Sequence, residues 1–167
     1  ISLDYEIKQN SLEFYSQNKK ILDGYIDFKP FYLKANLNYD GISLKNLFND
    51  ESILIDLIKS EIFNNQNLNV NINLGVVDIT NLNELNNLYL NLGLEQGDIT
   101  LSQSQIMWKD DTEIFLSEGI INYDKDEISL IGKLIINTKN IDDFYRSFQI
   151  KKIYRKQLNE IELDFIY

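Results

Sequence analysis

The sequence predicts a mostly-β fold: a single curved antiparallel sheet, a meander with the form of a groove or open barrel, carrying two or three short amphipathic helices. Three observations predict it. Apolar residues recur at every second position through most of the chain, the period of a strand with one dry and one wet face. Polar or Gly-containing punctuation falls at intervals of roughly ten residues, as in hairpins that follow one another in sequence. The period changes to that of a helix in only two places, near 50–63 and 140–149. The 167 residues suffice for one domain, 1–167, with its own core.

The elements follow in order. N-terminal strands occupy 1–40: weak ones at 2–8, 11–17 and 23–28, with Asn18-Lys19-Lys20 as a divider, then a clearer one through Leu33, Ala35 and Leu37. A short helical turn is expected over Ser43–Phe48. Asp50 can cap a helix over 50–63, with Ile53, Leu54, Leu57, Ile58 and Ile62 on one face and Lys59 in its last turns. The Asn-rich stretch Asn64–Asn69 reads as a loop that runs into a strand.

A central meander occupies 67–138. Its first strand alternates Leu68, Val70, Ile72 and Leu74 with Asn69, Asn71 and Asn73; its second carries Leu88, Leu90, Leu92 and Leu94. Glu95-Gln96-Gly97-Asp98 supplies a Gly free to take positive φ in the next turn. Residues 98–108 change parity, from Ile99 and Leu101 to Ile106 and Trp108, so a bulge is expected near Ser104. Lys109-Asp110-Asp111 and Asp124-Lys125-Asp126-Glu127 are polar tips on either side of a strand at 112–123. Ile128, Leu130, Leu134 and Ile136 form the strand after them. Asn140 can cap a second helix over 140–149, with Asp142 and Asp143 in its favourable first turn and Phe144, Tyr145 and Phe148 on its core face. The last strand, 158–167, sets Ile161, Leu163 and Phe165 against Glu160, Glu162 and Asp164.

Composition removes several functions. The net charge of −10 argues against nucleic acid, which needs a basic footprint. Cys and His are both absent, which removes disulfides, thiolate metal sites and the commonest general base. No apolar run approaches the ~18 residues of a membrane-crossing helix. The chain opens at Ile1 with a strand-like pattern and no leader pattern, so it reads as a mature chain or an excised part of a longer one. Abundant Asn and Ile, with Pro30 the single proline, read as AT-rich codon usage.

Catalytic patterns are likewise missing. Ser43, Ser102 and Ser117 have no His partner, and no carboxylate pair stands out among 26 acidic residues. Glycine-rich nucleotide-binding patterns are absent. Asp124, Asp126 and Glu127 offer the oxygen ligands Ca²⁺ takes but lack EF-hand spacing, and read as a solvated tip. The chain is therefore not expected to be an enzyme or to carry a cofactor or metal.

Apolar surface is in excess. Each strand presents one dry face, and short helices cannot cover them all. The sheet must curl, pack on other parts of a parent protein, or hold an apolar ligand. The candidate lining is Leu68, Val70, Ile72, Leu74, Leu88, Leu90, Leu92, Leu94, Ile99, Leu101, Ile128 and Leu130. Arg146, Lys151, Lys152, Arg155 and Lys156 form the one basic cluster, suited to anionic headgroups or to a solvated linker.

Residues 68–148 run L-N-V-N-I-N-L, L-Y-L-N-L-G-L-E-Q-G-D-I-T-L, E-I-F-L-S-E-G-I-I-N-Y, E-I-S-L-I-G-K-L and N-I-D-D-F-Y-R-S-F. This resembles the C-terminal region of AsmA-like proteins, and F-Y-L-K-A-N-L-N-Y-D-G-I-S-L-K-N-L-F is similar to the part before it. The resemblance implies a β-groove lined by apolar side chains, in a periplasmic part of an inner-membrane-anchored protein of Gram-negative bacteria. It implies a role in outer-membrane biogenesis or phospholipid transport, with an acyl-chain lipid as partner, and no catalytic residues. The alternative is a non-catalytic structural or protein-interaction β domain with a closed core.

Overall fold

A computed structural model describes residues 2–16, 21–43, 66–124 and 127–167. The Asn18-Lys19-Lys20 divider, the turn expected after Ser43, the helix expected over 50–63 and Lys125-Asp126 lie outside the described residues.

Among the described residues, eleven strands form one open, mostly antiparallel sheet. They are β1 (Leu3–Ile7), β2 (Ser11–Ser16), β3 (Leu22–Phe28), β4 (Phe31–Ile42), β5 (Asn69–Ile79), β6 (Leu85–Glu95), β7 (Asp98–Thr100), β8 (Ser104–Trp108), β9 (Thr112–Asp124), β10 (Glu127–Thr138) and β11 (Glu160–Ile166). Their lateral order follows the sequence, with β7 and β8 sharing one place between β6 and β9, and with β1 and β11 as the two edges among the described residues. At a spacing of about 4.8 Å per strand the sheet is roughly 40 Å wide.

Two details correct the sequence reading. The meander is not antiparallel throughout, because β4 and β5 pair in parallel, Leu33 beside Val70 and Leu37 beside Leu74. Period-two alternation reports which face a residue takes and carries no information on strand direction. The strand expected over 98–108 is two strands rather than one strand with a bulge at Ser104. The break falls at Ser102-Gln103, where Gln103 takes φ 60°. The parity change is absorbed there, so Ile99, Leu101, Ser104, Ile106 and Trp108 all reach the dry face. A similar slip sits in β9, where Leu134 pairs with Leu116 while Lys133 pairs with Glu118; the skipped Ser117 donates its hydroxyl to the Lys133 carbonyl at 3.2 Å.

The core lies on the dry face in two clusters. One gathers Val70, Leu92, Leu94, Ile99 and Leu101; the other gathers Leu74, Val76, Ile79 and Leu88. The only α-helix among the described residues, α1 (Ile141–Ser147), covers one end. Asn140 caps it by accepting from the Asp143 backbone N–H at 3.2 Å. Ile141 and Tyr145, one turn apart, are buried, and Phe144 meets Trp108 edge-on at 5.9 Å. Lys109 ties the helix down by donating to Asp143 at 2.9 Å and to Ser147 at 3.2 Å. Its ammonium holds the Asp143 carboxyl below the ordinary range, by a hydrogen bond first and by charge second. At the start of α1 the Thr112 and Thr138 hydroxyls pair at 2.8 Å in the interior.

Phe148 departs from its expected core place. It contacts Trp108 and Phe144 yet remains 55% exposed, because the helix ends there. Gln149 turns left-handed at φ 54°, and the Ile150 and Gln149 N–H groups return to the Tyr145 and Arg146 carbonyls at 2.8 and 3.1 Å. A 3₁₀ turn, Lys152–Tyr154, follows before β11.

Candidate functional site

Strand register turns the alternation of each strand into a pattern across the sheet. The four leucines of β6 face the dry residues of β5 one to one: Leu88 with Val76, Leu90 with Leu74, Leu92 with Ile72, Leu94 with Val70. Leu94 also pairs with Ile99, Ile99 with Ile121, and Ile121 with Leu130. In the other direction Val70 pairs with Leu33, Leu33 with Ile26, Ile26 with Leu12, and Leu12 with Ile7. At the far edge Leu130 and Tyr167 exchange two backbone hydrogen bonds at 3.0 Å. One apolar line therefore crosses the whole sheet: Ile7, Leu12, Ile26, Leu33, Val70, Leu94, Ile99, Ile121, Leu130, Tyr167. Its centre is dry, with Leu94 only 3% exposed, while Ile7 and Tyr167 at its ends are 68% and 91% exposed.

The next row is shaped by missing side chains. Tyr5, Phe14, Gly24, Ala35, Ile72 and Leu92 lie side by side, and Gly119, Gly132 and Phe165 continue the row beyond. The Phe14 ring fills the place of a side chain at Gly24. A Cβ at Gly132 would meet the Glu118 carbonyl oxygen at 2.5 Å and the Phe165 ring at 3.1 Å. The glycines let aromatic rings from both edge regions lie down over the sheet.

All twelve candidate lining residues belong to the two dry-face clusters. Val70, Leu74, Leu88, Leu92, Leu94, Ile99 and Leu101 are buried; Leu68, Ile72, Leu90, Ile128 and Leu130 are half-buried. The sequence placed them on one face but missed the accessible apolar surface. On this face it lies mainly at the margins: Leu3, Tyr5 and Ile7 on β1, and Leu163 and Tyr167 at the β11 edge. Exposure depends on how many neighbours a strand has, which alternation does not reveal.

The opposite face is polar and internally bonded. The Asn73 amide donates to Asn36 at 2.9 Å and to Asn71 at 3.2 Å, and its oxygen accepts from the Tyr89 hydroxyl at 2.9 Å. Asn71 donates to Asn91 at 3.0 Å and Asn36 to Asp23 at 2.9 Å. This network spans β3 to β6 and borders a hollow of about 610 Å³ that reaches Tyr32, Gln96 and Asp98. A smaller apolar patch interrupts the wet face, where Ile120, Ile131 and Ile166 pair across three strands.

The basic cluster is gathered between α1 and β11. Arg146, Lys151, Lys152 and Lys156 are exposed. Arg155 is half-buried; its Nε donates to the Ile150 carbonyl at 2.9 Å, and its guanidinium lies 6.0 Å from the Tyr145 ring centre. Ile153 and Tyr154, between these cations, are 81% and 67% exposed and were not singled out by sequence reasoning. Their signal was present as two adjacent apolar residues inside a basic hexapeptide.

No protein-family model, curated protein or solved structure matches this chain.

Proposed function

We propose that this chain handles lipid, as a β-groove segment of an AsmA-like envelope protein acting in outer-membrane biogenesis or phospholipid transport. The observation that carries the reading is the registered apolar line, which runs from one edge of an open sheet to the other and is exposed at both ends. A core alone needs apolar residues at the centre of a sheet. It does not need them at edges, where water reaches them and where a continuing groove or an acyl chain would cover them. The resemblance of residues 68–148 supplies the periplasmic, inner-membrane-anchored setting.

Acyl chains bound along this face are expected to gain about 0.8 kcal/mol per CH₂ removed from water. Affinity should rise with chain length and vary little with salt. Solvent extraction and mass spectrometry of the purified chain, followed by titration with fluorescent fatty acids of increasing length, test the proposal. A well-folded chain that carries no lipid and takes up no probe overturns it.

The tight burial of Val76, Ile79 and Leu94 favours a second reading at the centre of the face, a closed structural or protein-interaction domain. The two readings separate at the margins. Replacement of Tyr5 or Leu163 by Ser reduces acyl uptake in the first and leaves every lipid measurement unchanged in the second.

A further inference from the structure

The connection between α1 and β11 places exposed apolar side chains inside the one basic cluster of an acidic protein. The run Lys151-Lys152-Ile153-Tyr154-Arg155-Lys156 has two apolar residues at its centre and two cations on each side. Ile153 is 81% exposed and Tyr154 67%. Ile150, just before the run, is half-buried, while Phe148 and Leu158 further out on either side are 55% and 38% exposed.

The turn is held from beneath. Tyr145, buried in α1, donates its hydroxyl to the Lys156 carbonyl at 2.8 Å and accepts from the Lys156 N–H at 3.2 Å. Arg155 bonds back to the Ile150 carbonyl, and the Tyr154 and Arg155 N–H groups return to the Lys151 and Lys152 carbonyls at 2.9 and 3.2 Å. The backbone is thus fixed at both ends while Ile153 and Tyr154 project into water. A fixed turn loses little conformational entropy when its side chains are captured.

We infer that this turn is a membrane-contacting element, which inserts Ile153 and Tyr154 into the headgroup–acyl boundary of an anionic bilayer while the flanking cations meet lipid phosphates. Charge complementarity selects the occupant. The protein as a whole carries −10, and this run is where its cations are gathered, so an anionic surface that the net charge repels is met here by local positive charge. The apolar tip selects a bilayer over a soluble polyanion, because only a bilayer offers an apolar layer immediately beneath its anionic charge. Tyr at such a boundary keeps its ring in the apolar side and its hydroxyl in the wet one. The inference stands apart from the groove reading, since the turn lies outside both dry-face clusters.

The chain contains no Cys, so an Ile153→Cys variant takes a single environment-sensitive dye. The probes are vesicles of phosphatidylcholine alone and of equal parts phosphatidylcholine and phosphatidylglycerol. Dye emission is expected to rise and shift to the blue with the anionic vesicles only. In co-sedimentation of the unlabelled chain, each of Lys151→Gln and Lys152→Gln should weaken binding to anionic vesicles about fivefold. Ile153→Ser with Tyr154→Ser should abolish sedimentation while circular dichroism stays unchanged. A dye at 153 that never responds, or sedimentation indifferent to the double Ser variant, overturns the inference. So does equal capture of the parent chain and the double variant on heparin with no vesicle binding, which makes the cluster a general polyanion site. Lipid co-purification is read separately: its loss with vesicle binding intact removes only the groove, and the converse removes only the membrane-contacting turn.

Discussion

Truncating the same apolar line at its centre and at its end measures how the dry face is covered. Leu94 pairs with Val70 and Ile99 and is 3% exposed; Ile7 pairs with Leu12 and is 68% exposed. Leu94→Ala removes packed atoms that water cannot replace, so it loses the transfer free energy and leaves a cavity, about 3–4 kcal/mol together. Ile7→Ala loses contacts on about a third of its side chain, and its cost should stay below about 1 kcal/mol. For a chain of this size the first should lower Tm by roughly 10 °C and the second by no more than about 3 °C. Urea titration followed by tryptophan fluorescence and circular dichroism gives both values, with coincident transitions required before free energies are compared. Equal costs at the two positions, or a cost at Leu94 below about 1 kcal/mol, would refute a face that is dry in the middle and open at the edge.

Three further outcomes are expected. Gly132→Ala should destabilise by about 1–3 kcal/mol, because the new Cβ meets the Glu118 carbonyl oxygen at 2.5 Å in the middle of a ladder; unchanged thermal unfolding would contradict this. Asn73→Ala leaves the Asn36 and Asn71 oxygens and the Tyr89 hydroxyl without their partner, and water can reach this half-buried face, so the loss should be about 1–2 kcal/mol rather than more. The depressed Asp143 carboxyl contributes stability that is present above the ordinary carboxylate range near pH ~4 and is lost as pH falls through its lower folded value. The raised Lys109 contributes below pH ~10.4 and loses that contribution at higher pH, through its raised folded value. The stability difference between the parent chain and Asp143→Asn, measured against pH, should be level between pH ~5 and ~10 and close up in acid.

The sequence made the strands and their faces legible because alternation is a local signal. Leu88, Leu90, Leu92 and Leu94 had to share a side whatever lay next to them. What the strands pair with is not local. Nothing near Ile42 or Asn69 announces a parallel pairing, and the line from Ile7 to Tyr167 exists only once every register between them is set. The break at Ser102-Gln103 was visible as a parity change, but a turn and a bulge leave the same trace in sequence. At the candidate site, the lining residues were found by pattern and the marginal ones were not, since Leu3 and Leu94 look alike until one is at an edge. Phe148 was placed in the core by helical spacing and lies partly outside it because the helix stops one turn too soon to bury it.

The parallel pairing of β4 with β5 raises a problem that hairpins do not have. A hairpin turn sets which residue faces which, whereas two strands far apart in sequence can zip one step out of step at little backbone cost. Here the side chains act as the alignment marks. In the observed alignment Asn36 and Asn73 bond on the wet face while Leu33 meets Val70 and Leu37 meets Leu74 on the dry one. A shift of one residue, with β5 still locked to β6, sends Lys34 and Asn36 of β4 into the oily layer and Leu33 and Leu37 into water. The asparagines of the wet face thus guard against misthreading, and Asn73→Ala should give misassembled chains during refolding in addition to its loss of folded-state stability.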